Sequence, residues 1–112
     1  MDLQQLPIID WDQALKLAGN KQDIAKEILE MLVQTLPREV AAINQSWQDE
    51  NYEQMSKQVH KLHGALCYCG LPRLKTLIAA IENDLKTNVI NNLPHLLQSL
   101  NEETKQLLSE MT

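Results

Sequence analysis

Apolar residues in this chain recur at helical spacing almost everywhere, and nothing in the chain competes with that period. From Tyr52 the series Tyr52, Met55, Val59, Leu62, Leu66, Cys69 steps by 3, 4, 3, 4 and 3 residues. Only an α-helix brings such positions onto one face. There are 3 glycines and 4 prolines in 112 residues, and runs of β-branched residues are absent. A sheet therefore has no sequence to build from.

Helix boundaries follow from the punctuation. Asp10 with Gln13 forms a capping-box pattern and opens a short helix from Trp11 to Ala18, which Gly19 ends. Asn20 is placed to cap the next helix, with Asp23 in its first turn. That helix carries Ile24, Ile28, Met31, Leu32, Leu36, Val40, Ile43 and Trp47 to about Asp49, as one bent helix interrupted by Pro37. A third helix runs from about Tyr52 to Cys69, with Gly70 after its end and Pro72 opening a fourth. The fourth bears Leu74, Leu77, Ile78, Ile81 and Leu85. The last starts near Pro94 and bears Leu97, Leu100, Leu107, Leu108 and Met111. Short connections favour antiparallel neighbours. The expected fold is all-α, an antiparallel up-and-down four-helix bundle, with the short N-terminal helix as a lid on one end. Trp11, Trp47, Met31, Met55 and Cys69 read as packing residues, and His95 as a surface residue at a helix start. Residues 1–112 suit one domain.

Composition removes several function classes. The formal net charge is −5, so no basic face for nucleic acid is expected. No apolar run is long enough to span a bilayer, and the N-terminus lacks a basic region followed by an apolar one. A cytoplasmic protein, or the cytosolic piece of a larger one, is the expectation. Cys67 and Cys69 are spaced C-x-C, neither a redox C-x-x-C pair nor a disulfide framework. Between Asn51 and Lys86 the cations Lys57, Lys61, Arg73, Lys75 and Lys86 outnumber Glu53, Glu82 and Asp84. A mildly basic patch on an acidic protein points to an acidic protein partner.

The stretch VHKLHGALCYCG, residues 59–70, carries the chemistry. At about 100° per residue, His60 falls roughly 130° from the centre of the apolar stripe, so it faces water. Gly64 lies one turn on, with Cys67, Lys57 and Lys61 close by. A glycine exposed inside a helix costs about 1 kcal/mol relative to alanine. A missing side chain beside an exposed imidazole lets another molecule's backbone approach the ring. A neutral imidazole is a nucleophile at one nitrogen if the other keeps its proton. Glu82, at the edge of the fourth helix's stripe, is the candidate to accept the Nδ1–H bond of His60 and leave Nε2 free. The same residues admit rivals. His60, His63 and Cys67 stand at i, i+3 and i+7, a transition-metal pattern with Glu82 as a fourth ligand. A plain interaction bundle without chemistry explains the periodicity but leaves Gly64 unexplained.

The run His60-x-Leu62-His63-Gly64-Ala65, with Gly70 ten residues after His60, resembles the signature of histidine-containing phosphotransfer (HPt) domains. HKLHGALCYCGLPRLK and the N-terminal IDWDQALKLAGNKQDIAKEILEMLVQTLP resemble in particular the C-terminal HPt domains of BarA/GacS-type hybrid sensor kinases. The resemblance covers nearly the whole chain. It implies a phosphoryl carrier without kinase activity of its own, in two-component signalling. His60 would be the phospho-acceptor, Glu82 the residue orienting it, and His63 a neighbour of the phosphoryl group where many members have lysine. Because histidine is not a permanent cation, stabilisation of that group is expected to depend on pH. Gly64 would be the clearance residue. Lys57, Lys61, Gly64, Cys67, Arg73 and Lys75 would form the docking face for receiver domains. The implied partners are the receiver of a parent hybrid kinase and that of a response regulator. No cofactor or metal is expected on this chain, Mg²⁺ being supplied by the receiver. A monomer without nucleic-acid or membrane contact is expected, as the cytosolic part of an inner-membrane kinase.

Overall fold

The computed structural model describes residues 3–111. A single 3-10 turn, Leu3–Gln5, precedes five α-helices: α1 Trp11–Leu17, α2 Gln22–Gln48, α3 Tyr52–Leu66, α4 Pro72–Lys86 and α5 Leu93–Glu110. There is no strand among the described residues. Helices α2 to α5 make the expected antiparallel four-helix bundle, in which α3 packs on α4, α4 on α5, and α2 closes the ring against α3 and α5. The short α1 lies against α2.

Local chemistry sets the boundaries. The Asp10 carboxylate accepts from the Gln13 amide at 3.0 Å and caps α1. Asn51 does the same for α3, accepting from Gln54 at 3.2 Å. Asn20 does not cap α2. It and Gly19 take left-handed conformations, φ 64° and 67°, to turn the chain, which leaves Lys21 at the cap without a side-chain bond. Pro37 stands inside α2, which continues through it as one helix. Helix α3 ends at Leu66, before the expected Cys69, because its end tightens. The amides of Tyr68 and Cys69 reach back only three residues, to Ala65 and Leu66.

The core is one aliphatic cluster in which Leu29, Leu36, Ile43, Met55, Val59, Ile78, Ile81 and Leu100 are shut off from water. Each fully buried aliphatic side chain contributes roughly 1.5–3 kcal/mol. The stripe of α2 is Ala25, Leu29, Leu32, Leu36, Val40 and Ile43, one residue off the expected start at Ile24 and Ile28. Met31 therefore points outward, 62% exposed, and is not core. Trp11 is also no core residue: it is 51% exposed, since α1 has only seven residues and buries only Ala14. Trp47 does pack, its ring 5.8 Å from that of Tyr52.

The turn between α3 and α4 is locked to the N-terminal segment. Gly70 has φ 65°, and a Cβ there would come within 2.7 Å of the Asp10 carbonyl and 2.9 Å of Ala14. In that contact the Asp10 amide donates to the Gly70 carbonyl at 2.8 Å. A second tie is Arg73, whose Nε donates to the Leu6 carbonyl at 2.6 Å and whose Nη1 lies 3.4 Å from Glu103. These bonds fix the α3–α4 pair, and so the side chains shared across it.

Candidate functional site

The mid-length His60 of α3 faces solvent, its side chain 78% exposed. Its Nδ1 lies 2.7 Å from Oε2 of Glu82, which α4 delivers from the neighbouring helix. The other oxygen, Oε1, is 2.8 Å from Nδ1 of His63. One carboxylate thus serves two imidazoles. His63 sits one turn further along α3, turned toward α4 and about a quarter exposed. Glu82 itself is buried.

Burial pushes the Glu82 carboxyl up. The bonds from His60 and His63 and the charges of Lys86 and His63 outweigh that and hold it below the usual carboxylate value. At neutral pH it is therefore ionised and can only accept. Both Nδ1 atoms must then be donors. In the neutral ring Nε2 of His60 keeps its lone pair, on a side chain that is largely exposed.

Gly64 stands one turn beyond His60 on the same exposed side. A Cβ built there would meet nothing within 4 Å. No internal packing and no left-handed backbone calls for this glycine. The remaining expected residues divide. Lys57 and Lys61 are exposed, Lys57 lying 3.6 Å from Glu53. Cys67 is half-buried. Lys75 is half-buried two turns before Glu82, hence on the same side of α4. Arg73, expected on the docking face, is instead buried, with its guanidinium spent on Leu6 and Glu103. Cys69 is core; its thiol donates to the Ala65 carbonyl, and burial, helped by Cys67, pushes it up to about 11.

Two residues join the site that the sequence reading did not assign to it. Lys86 and Ser56 line a shallow depression with Lys57, His60 and Glu82. The signal for Lys86 was its position four residues after Glu82. The described residues contain no group of three or more histidine, cysteine, aspartate or glutamate side chains able to hold a metal ion. No helix among them is long and apolar enough to cross a membrane.

A solvent-facing, tautomer-fixed imidazole on a four-helix bundle, beside a bare glycine, is the arrangement of a phosphotransfer module. The Hpt domain family model matches residues 27–110, and the chain belongs to that family. It is 35% identical over 103 residues to the signal transduction histidine-protein kinase BarA of Escherichia coli strain K12, covering 92% of this chain and 11% of that protein. It is 32% identical over 101 residues to the sensor protein GacS of Pseudomonas syringae pv. syringae, covering 90% of this chain. The chain thus spans about a tenth of the length of these curated relatives. The crystal structure of an HPT domain from a Shewanella hybrid histidine kinase superposes with a TM-score of 0.75 at 36% identity, covering 92% of this chain and 95% of that one.

Proposed function

We propose that this domain is a phosphorelay intermediate. It accepts a phosphoryl group on Nε2 of His60 from the aspartyl phosphate of a receiver domain and passes it to the aspartate of a response regulator. The Nε2 lone pair attacks phosphorus in line as the bond from phosphorus to the aspartyl oxygen breaks, which restores the carboxylate. The ring is left protonated at Nδ1 and phosphorylated at Nε2. Its positive charge faces the Glu82 carboxylate, so the product is held without a change in bonding. Passing the group on runs the same step backwards. The receiver supplies Mg²⁺ and the acidic pocket, and this chain supplies no kinase chemistry. Lys57, Lys61 and Lys75 speed encounter with that acidic pocket. His63 lies beside the phosphoryl group and helps stabilise it. We assign the domain to the cytosolic part of a membrane-bound hybrid kinase, with the receiver of that kinase as one partner.

The observation that carries this reading is Gly64: an exposed glycine in the last turn of α3 beside an exposed imidazole, with nothing among the described residues that requires it. Incubation with a phosphorylated receiver tests it. His60→Gln should abolish uptake of label, while His63→Gln only slows it. Uptake by His60→Gln at the unsubstituted rate would show that the acceptor lies elsewhere.

A further inference from the structure

Just past the end of α3, beyond Gly64, stands a large aromatic residue that neither the core nor the site above uses. Tyr68 is 64% exposed. Among the described residues its ring stacks on no other ring. Its backbone is held, the amide donating to the Ala65 carbonyl at 3.3 Å.

Tyr68 stands in the turn two residues past the end of α3 at Leu66. It follows Gly64 by four residues and His60 by eight, about 12 Å at the helical rise. Between the two in sequence, Gly64 and Ala65 are both exposed and small. An exposed imidazole and an exposed phenol thus stand before and after the residue that has no side chain.

A protein that brings an aspartyl phosphate to Nε2 must cover much of the surface around His60. A standard interface takes about 800 Å² from each partner, a disc of about 16 Å radius. Centred on His60, that disc includes Tyr68. Exposed tyrosines next to small residues make strong anchors, since a rigid ring loses little entropy on docking and buries a large apolar face. The apolar ring also supplies what the flanking lysines cannot, a contact that survives high salt.

We infer that Tyr68 is an anchoring contact for the receiver domain that meets His60. The inference rests on the phosphoryl-carrier reading above. The test follows initial rates of phosphoryl transfer to the whole chain while the concentration of a phosphorylated receiver is varied. Tyr68→Ala should raise the half-saturating receiver concentration about tenfold and leave the rate at saturation within twofold. Tyr68→Phe should restore the original concentration dependence. The inference is overturned if Tyr68→Ala saturates like the unsubstituted protein, or if only the saturated rate falls. It is equally overturned if Tyr68→Ala changes the sedimentation of the protein alone and not its receiver dependence, since the ring would then serve a second copy of this chain. Failure of the carrier reading looks different: no receiver labels His60 of the unsubstituted protein, and Tyr68 loses its partner with it.

Discussion

Glu82 Oε2 lies 2.7 Å from Nδ1 of His60, and the same carboxylate holds His63 at 2.8 Å through its other oxygen. The orientation of the reactive ring is thus tied to the protonation of a second ring that is itself less exposed. An amide in place of the carboxylate separates the two roles. In Glu82→Gln the side-chain oxygen can accept from His60, but the NH2 group then faces His63 and needs an acceptor there. His63 must switch to the tautomer protonated at Nε2, which nitrogen NMR of the two rings will show. Phosphotransfer should fall only a few-fold. Glu82→Ala removes both acceptors and should slow transfer by at least tenfold, about 1.4 kcal/mol of barrier. Equal loss in the two variants would mean that charge, and not orientation, is what Glu82 supplies.

The same carboxylate makes stability depend on pH. In the folded chain its pKa lies below the ordinary value, through the histidine bonds and Lys86 and against the effect of burial. The unfolded chain therefore binds the proton more readily, and stability rises with pH across this window. The contribution is complete above the unfolded value, near pH 5, and is lost as pH falls through the folded one. Urea unfolding of the unsubstituted protein and of Glu82→Gln, repeated between pH 3 and 7, should show a shallower pH slope in the variant. Parallel slopes would contradict the depressed carboxyl.

Gly64 allows stability and transfer to move in opposite directions. A Cβ there meets nothing within 4 Å, so Gly64→Ala has no internal clash to absorb. Helix propensity alone should stabilise the domain by up to about 1 kcal/mol. On the proposed phosphoryl-carrier function the added methyl obstructs the receiver's approach, and transfer to His60 should slow at least tenfold. Thermal unfolding and transfer rates on one preparation check both signs. A variant both more stable and fully active would remove the reason for a glycine here.

Much of this was legible in the sequence because it depends on one helix at a time. The stripe of α3, the exposure of His60 and the bareness beside it follow from residue spacing. Glu82 was reachable because α4 was expected to run antiparallel to α3 and carry its C-terminal part past the middle of α3. What depended on the exact facing of two helices was not legible. His63 shares the carboxylate only because α4 lies on its side of α3. Met31 and Trp11 are apolar residues that stay more than half exposed. Asn20 was needed for the left-handed turn that reverses the chain, and so was lost to capping. Arg73 looked like surface charge, since nothing in its own helix reveals that Glu103 of α5 and the Leu6 carbonyl converge on it.

The buried contact of Arg73 predicts a structural role with no part in docking. Its guanidinium joins α4 to α5 through Glu103 and to the N-terminal segment through Leu6, with both side chains about a tenth exposed. Arg73→Ala leaves a buried carboxylate without its cation and the Leu6 carbonyl without its donor. The expected loss is about 3 kcal/mol in urea unfolding at pH 7. Arg73→Ala with Glu103→Leu removes the stranded charge and should recover part of that loss. For the fraction that stays folded, the half-saturating receiver concentration should remain as in the unsubstituted protein, in contrast to Lys57→Ala with Lys61→Ala. Those two cations are exposed and screened by salt, so their joint removal should slow association several-fold at low ionic strength and little at high. A docking defect in Arg73→Ala without loss of stability would return that residue to the interface.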